Sequence, residues 1–165
     1  MGTEIERKFL PLPGWRQAHG LSQGVLYRQG YLNSTPGRTV RIRLVSDPVV
    51  GATGYVTIKG PVTGLVRSEY EYEIPATDAA ELLDTLCERP LIEKTRYRVP
   101  QDSLVWEIDE FHGENAPLVV AEIELDSAGQ GFERPAWLGR EVSDDPRYFN
   151  SRLAKTPYSA WKDAP

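Results

Sequence analysis

Hydrophobic and polar residues alternate along most of this 165-residue chain. A period of two predicts β-strands, because successive strand side chains point to opposite faces. The clearest example is residues 39–45, where aliphatic side chains alternate with Arg41 and Arg43. Turn-forming Gly and Pro residues separate eight such segments, which cover residues 3–9, 26–32, 39–45, 55–59, 67–74, 92–99, 103–111 and 118–125.

Two segments change to the helical period. Residues 77–88 place Ala79, Leu82, Leu83 and Leu86 on one stripe, with Thr77 as the expected N-cap. Asp145-Pro146 is a typical helix start, and the predicted helix runs to about Lys155. The element order predicts an α+β, mainly β fold, in which an antiparallel sheet forms a barrel or a sandwich.

Each predicted strand has an apolar face and a charged face. In an ordinary half-buried sheet the charged face would meet solvent. Here the charged faces contain hardly any Ser, Asn or Gln, Tyr and Trp crowd the opposite faces, and like charges are adjacent, which costs stability without a ligand. The adjacent like charges are Arg41/Arg43, Lys94/Arg96/Arg98, Glu69/Glu71/Glu73 and Glu122/Glu124. We therefore expect a barrel with a charged interior, and eight strands leave room for one small ligand.

Composition limits the setting in which the chain works. The formal charge of −5 argues against general nucleic-acid binding. The single cysteine, Cys87, excludes an intramolecular disulfide and favours a reducing compartment. No apolar run approaches the roughly 20 residues of a membrane span. We expect one domain over residues 1–165 in the cytoplasm, with neither nucleic acid nor membrane as a partner.

The two signs of charge indicate the ligand. Converging Lys and Arg side chains favour a dense anion such as phosphate. Asp and Glu oxygens favour hard divalent cations, Mg²⁺ or Mn²⁺. Together they suit a polyphosphate chain with metal ions and point to phosphoryl transfer. The chain has no P-loop motif that could bind the phosphates instead.

The pattern Glu4-x-Glu6-x-Lys8 resembles the signature of the CYTH, or triphosphate tunnel metalloenzyme, superfamily. Further matches follow in family order over essentially the whole chain: Arg41-x-Arg43, Lys59, Arg67-x-Glu69-x-Glu71, Lys94-x-Arg96, Asp109, Glu122-x-Glu124 and Asp145-Pro-Arg147-Tyr148. The resemblance implies an eight-stranded antiparallel β-barrel that forms a tunnel, with a charged interior, helices packed outside and a C-terminal helix.

The resemblance also implies roles for individual residues. Phosphate would be bound by Lys8, Arg41, Arg43, Lys59 and Arg96, with Lys94 assisting at the leaving group. Two ions of Mg²⁺ or Mn²⁺ would be held by Glu4, Glu6, Asp109, Glu122 and Glu124, with Glu69 and Glu71 as further candidates. We expect Lys94, Glu4 and Glu6 to be catalytic, while the general base could be a carboxylate, Lys94 or water bound to a metal. Arg147 and Lys155 either reach one end of the tunnel from the final helix or lie on its surface.

Members of this superfamily hydrolyse inorganic triphosphate or thiamine triphosphate, or cyclise ATP. The first strand and the segment Tyr27-Arg-Gln-Gly-Tyr31-Leu32 look most like bacterial inorganic triphosphatases. We therefore expect hydrolysis of inorganic triphosphate to pyrophosphate and phosphate. The alternatives are a thiamine or nucleoside triphosphatase, a class IV adenylyl cyclase and a polyphosphate-binding module without turnover. The oligomeric state is open, with a homodimer among the options.

Overall fold

The N-terminal strand closes the sheet into a barrel. In this computed structural model, which describes residues 2–161, β1 runs over Gly2–Pro11. Its residues 2–5 pair with β5, and its residues 6–9 pair with β8. All pairs in the ring are antiparallel, in the order β1-β5-β4-β3-β2-β6-β7-β8-β1. The other barrel strands are β2 Val25–Asn33, β3 Thr39–Asp47, β4 Gly51–Lys59, β5 Val66–Ile74, β6 Ile92–Gln101, β7 Leu104–Phe111 and β8 Val119–Glu124.

The eight predicted strands are the eight strands of the barrel, so the predicted architecture is confirmed. The apolar core lies on the outer faces of the strands. Trp106 of β7, for example, is fully buried and makes edge-to-face contacts with Phe9, Phe132 and Trp137 at centroid distances of 5.5–5.6 Å. Such contacts add to the stabilisation from burial alone. The predicted charged interior is also confirmed, because the buried charged residues are Glu4, Lys8, Arg41, Lys94, Arg96, Asp109 and Glu122.

Helix α1, Ala76–Thr85, packs outside the barrel on β3 and β4. Its approach to β4 is close, because a Cβ added at Gly54 would lie 2.7 Å from the Cβ of Ala79. Two details of the prediction were wrong. Thr77 lies inside the first turn, and Pro75 precedes the helix without a side-chain cap. Leu86 is 65% exposed, the buried residues of the helix are Ala79 and Leu83, and Cys87, which follows the helix, packs in the same cluster.

A ninth strand, β9 (Leu138–Glu141), was not predicted. It is four residues long and pairs only with the second half of β1. An ion pair between Arg7 and Glu141, with Nε–Oε1 at 2.8 Å and Nη2–Oε2 at 2.7 Å, holds it there. Four residues with little alternation carry too weak a periodic signal to reveal such a strand.

The predicted continuous C-terminal helix was wrong. Asp145 does cap a helical turn, because its carboxylate accepts a hydrogen bond from the Arg147 N–H, but that 3₁₀ turn ends at Tyr148. Phe149 is extended, and α2 spans only Asn150–Leu153. The break lets Tyr148 and Leu153 bury themselves in one apolar cluster against the barrel. Neither α1 nor α2, the α-helices of residues 2–161, is both long and apolar enough to cross a bilayer.

Candidate functional site

The barrel encloses a charged cavity of about 430 Å³. A smaller cavity of about 60 Å³ adjoins it and shares several lining residues with it, including Glu4, Lys8 and Arg41. The β3–β4 turn lines the larger cavity, whereas the β4–β5 turn and parts of residues 143–151 line the smaller one. Because those two turns lie at opposite ends of β4, the two cavities mark the two ends of one tunnel.

Basic and acidic side chains occupy different parts of the tunnel wall. The basic part is formed by β3 and β6, which lie on either side of β2. The acidic part is formed by β1, β5 and β8, with Glu107 of β7 next to it. Of the predicted residues, the structure brings into the larger cavity Glu4, Glu6, Lys8, Arg41, Arg43, Lys59, Glu69, Glu71, Lys94, Arg96, Glu122 and Glu124.

The basic wall contains more positive charge than its carboxylate partners neutralise. Within residues 2–161 Arg43 makes no ion pair, and its Nε donates to Gln29 Oε1 at 3.2 Å. Burial, together with the nearby charges of Arg41 and Arg96, lowers the pKa of Arg43 to about 10. The buried Nε of Arg41 has no hydrogen-bond partner there, and its Nη2 lies 3.7 Å from Glu71 Oε2. Guanidinium groups that are removed from bulk water and only partly neutralised, as these two are, are suited to bind an anion.

Asp109 is fully buried behind the basic wall and is paired through both oxygens. Arg96 donates from Nε to Oδ1 at 2.7 Å and from Nη2 to Oδ2 at 2.8 Å, and Lys94 Nζ lies 2.6 Å from Oδ2. Burial alone would raise the pKa of Asp109, but Arg96 and Lys94 hold it well below its usual range. Asp109 was expected to bind a metal ion. In the structure, both of its carboxylate oxygens instead accept hydrogen bonds from Lys94 and Arg96.

Lys94 is the most deeply buried cation of the site. Burial lowers its pKa to about 7, although the charge of Asp109 acts in the opposite direction. Its ammonium group has three N–H donors. One is used by Asp109 and one by Asn150 Oδ1 at 3.1 Å. When the group is protonated, its third N–H has no hydrogen-bond partner among residues 2–161.

Two lysines lie among the carboxylates of the acidic wall. Lys8 Nζ lies 2.7 Å from Glu122 Oε1 and 2.8 Å from Glu6 Oε1. Burial opposes the charge on Lys8, but these two carboxylates raise its pKa well above the usual value. Lys59 Nζ lies 2.6 Å from Glu4 Oε2 and 3.6 Å from Glu69 Oε1. The ammonium groups therefore already neutralise part of the acidic wall.

Glu124 is the carboxylate of the acidic wall that neither of these lysines neutralises. It makes no ion pair within residues 2–161. Its side chain is exposed, and partial desolvation, together with the negative charges of Glu4, Glu69 and Glu6, raises its pKa. A raised carboxyl pKa among other carboxylates indicates negative charge that lacks a counterion.

The acidic wall fits a hard divalent cation in its chemistry. All of its donors are carboxylate oxygens, the ligands that Mg²⁺ and Mn²⁺ prefer. In the described part of the chain, no three His, Cys, Asp or Glu residues are already gathered as a metal site. Lys8 and Lys59 lie between the carboxylates, so binding of a cation would require the glutamates to exchange lysine partners for metal.

The two predicted residues of the C-terminal segment do not line the tunnel cavities. Arg147 is exposed, with Nη2 2.7 Å from Asp145 Oδ2 and its guanidinium over the Trp161 ring. Lys155 is exposed as well. The break at Phe149 instead turns Asn150 into the tunnel, where its Oδ1 accepts hydrogen bonds from Gln29 Nε2 at 3.0 Å and from Lys94. Of the two alternatives expected for Arg147 and Lys155, the structure therefore favours a position on the surface.

Several residues of the tunnel were not among the site residues predicted from the sequence. Tyr27 and Gln29 share one face of β2 by alternation, but Arg28, the charged residue of that strand, lies on the opposite face. Glu107 could have been placed by the alternation of β7, and it accepts from Arg96 and Arg98 at 3.1 and 3.0 Å. Asn150 had no periodic signal at all.

Comparison with known proteins gives one consistent result. The model of the CYTH domain family matches residues 2–155. An inorganic triphosphatase of Acetivibrio thermocellus is 49% identical over 163 residues, covering 99% of this chain and all of the relative. An inorganic triphosphatase of Nitrosomonas europaea is 40% identical, covering 92% of this chain and 97% of the relative. The crystal structure of the inorganic triphosphatase NE1496 superposes with a TM-score of 0.62 at 36% identity, covering 93% of this chain and 95% of the other.

Proposed function

Because the chain belongs to the CYTH family, we propose that it hydrolyses inorganic triphosphate to pyrophosphate and phosphate inside its charged barrel. Enzymes of this family, the triphosphate tunnel metalloenzymes, are metal-dependent. The names of two relatives that cover nearly the whole chain support the choice of substrate. The protein is then a hydrolase that acts on a phosphoanhydride bond.

One observation carries the proposal. A basic wall without enough anions and an acidic wall without enough cations share a cavity of about 430 Å³. A polyanion alone would balance Arg41 and Arg43 but would add negative charge near Glu124. A polyanion together with divalent cations balances both walls, which is the usual arrangement for phosphoryl transfer.

The basic side chains bind and orient the substrate in this proposal. Arg41, Arg43 and Arg96 donate hydrogen bonds to phosphate oxygens, and the two-pronged guanidinium group favours such contacts. Lys8 and Lys59 would join them if their glutamate partners were bound to metal instead. The free N–H of Lys94 donates to the oxygen of the leaving pyrophosphate, where negative charge develops.

The acidic side chains bind metal in this proposal. Two ions of Mg²⁺ or Mn²⁺ would neutralise phosphate oxygens and act as Lewis acids when bound, and their ligands would be Glu4, Glu6, Glu69, Glu71, Glu122 and Glu124. Glu4 and Glu6 would also be close to the reacting phosphate. For Asp109 we propose a different role from the expected one, namely holding Lys94 and Arg96 in position.

A substrate panel tests the proposal. Release of phosphate is measured from inorganic triphosphate, ATP and thiamine triphosphate in parallel, each with Mg²⁺, Mn²⁺ or a chelator. We expect fast, metal-dependent release from inorganic triphosphate and little from the other two. Conversion of ATP to cyclic AMP and pyrophosphate would instead identify a cyclase. Tight binding of triphosphate without release from any substrate would identify a binding module.

A further inference from the structure

Strand β2 contributes an aromatic residue to the middle of the basic wall. It lies between β3 and β6, the strands that carry Arg43 and Arg96. Tyr27 of β2 is 4% exposed and lines the larger cavity. Its ring is therefore a neutral surface between two positively charged strands.

The register places that ring beside both guanidinium groups. Tyr27 is paired with Val45 on β3 and with Lys94 on β6. Arg43 and Arg96 are each two residues from these partners, so they are diagonal neighbours of Tyr27. The guanidinium carbon of Arg43 lies over the ring at 5.2 Å from its centre, and that of Arg96 lies over it at 4.8 Å. Both distances are within the range of a cation–π interaction.

A neutral partner has an advantage that a carboxylate lacks at this position. Arg43 needs stabilisation, because it is half-buried, has no ion pair within residues 2–161 and is close to Arg41 and Arg96. A carboxylate would stabilise it but would occupy the N–H donors that bind phosphate. An aromatic face attracts the guanidinium group through its quadrupole and leaves the donors at its edge free.

We propose that Tyr27 is a positioning residue for substrate binding, which holds the guanidinium groups of Arg43 and Arg96 ready for the phosphate oxygens. This inference rests on the proposed function, since it names what prepares the basic wall for triphosphate. It assigns the effect to the aromatic ring. The hydroxyl group of Tyr27 has no role in it.

The test separates substrate binding from turnover. Tyr27→Leu should raise the KM for inorganic triphosphate about tenfold at saturating Mg²⁺ and change kcat by less than about threefold, because two cation–π contacts are lost. Tyr27→Phe keeps the ring and should stay within about twofold of the wild type. Tyr27→Met, whose flexible side chain fills irregular space, replaces Leu if that variant does not fold. Tyr72→Leu removes an exposed tyrosine of β5 and is the matched control.

A double variant shows whether Tyr27 acts through its neighbour. In an Arg43→Leu background, Tyr27→Leu should raise KM by clearly less than it does alone, because one of the two contacts is already absent. Equal factors in both backgrounds would contradict an effect through Arg43. A wild-type KM in Tyr27→Leu would overturn the inference, as would a Tyr27→Phe variant as impaired as Tyr27→Leu.

Binding without turnover distinguishes this inference from the proposed function. Calorimetry with inorganic triphosphate in chelator measures the affinity of the tunnel for the anion alone. If the wild type binds but does not hydrolyse triphosphate, the proposed function fails, and an approximately tenfold weaker affinity of Tyr27→Leu still supports the inference. If the wild type hydrolyses triphosphate and Tyr27→Leu binds as tightly as the wild type, the inference alone fails.

Discussion

Lys94 Nζ and Asp109 Oδ2 lie 2.6 Å apart on neighbouring strands, and both residues are fully buried. The pair explains how a lysine can be kept deep in the wall of the tunnel. Because Arg96 shares the same carboxylate, Asp109 holds two of the basic groups assigned to the substrate. Its removal should therefore affect folding and catalysis together.

We predict that Asp109→Asn destabilises the protein by about 3 kcal/mol, the cost of breaking a buried ion pair from one side. It should also lower kcat, because Lys94 and Arg96 lose their common anchor. Denaturant unfolding of the metal-free protein measures the first effect, and triphosphate kinetics measure the second. If the variant instead unfolds like the wild type and only its Mg²⁺ requirement rises, Asp109 is a metal ligand as first expected from the sequence.

Unlike Asp109→Asn, Glu124→Gln should lower activity without lowering the free energy of unfolding. The substitution removes a negative charge from a group of carboxylates, so the unfolding free energy should not fall. Turnover should fall by about 100-fold or more at a fixed Mg²⁺ concentration, because a charged oxygen ligand is lost. Glu81→Gln changes an exposed glutamate of α1 and is the control. Wild-type kcat/KM in Glu124→Gln would contradict the metal role.

The raised pKa of Glu124 also predicts a pH dependence. The folded protein binds this proton more tightly than the unfolded chain does, so ionisation of Glu124 costs stability. The unfolding free energy of the metal-free wild type, relative to Glu124→Gln, should therefore fall as pH rises from the ordinary glutamate pKa through the raised one. Unfolding at a series of pH values checks this. A difference that stays constant, or that rises with pH, would show that Glu124 is not crowded by the other carboxylates.

Arg43→Leu should weaken substrate binding without weakening the fold. The substitution removes a half-buried cation that has no carboxylate partner within residues 2–161, so the melting temperature should be unchanged or higher. The KM for triphosphate should rise at least about tenfold, because charge-assisted hydrogen bonds to phosphate are lost. Arg28→Leu, on the outer face of β2, is the control. An unchanged KM would exclude Arg43 from the substrate site.

The alternation of side chains was enough to predict the eight strands, whereas the choice of a barrel over a sandwich needed the adjacent like charges and the family resemblance. Each barrel strand has one apolar and one charged or polar face, and like charges in neighbouring positions indicated which face lies inside. The alternation could not reveal β9, whose position depends on the ion pair of Arg7 with Glu141. Nor could it reveal the break at Phe149, because burial of Tyr148 and Leu153 overrides the local helix signal.

The candidate site was less predictable than the fold, because charge type does not determine partners. Asp109 and Glu124 both read as metal ligands in the sequence. In the folded chain Asp109 is fully paired with Lys94 and Arg96, whereas Glu124 has no ion pair within residues 2–161. Only the distances between side chains in the folded barrel distinguish the paired Asp109 from Glu124. The cytoplasmic location, the oligomeric state and the exclusion of nucleic acid stay predictions.

The central claim is that both walls of the tunnel act on one triphosphate with metal present. The most direct measurement follows pyrophosphate and phosphate formed from inorganic triphosphate, with saturating Mg²⁺ and then with a chelator. We predict equal amounts of the two products with Mg²⁺ and none with the chelator. Absence of products in both conditions, or product formation that the chelator does not affect, would contradict the account.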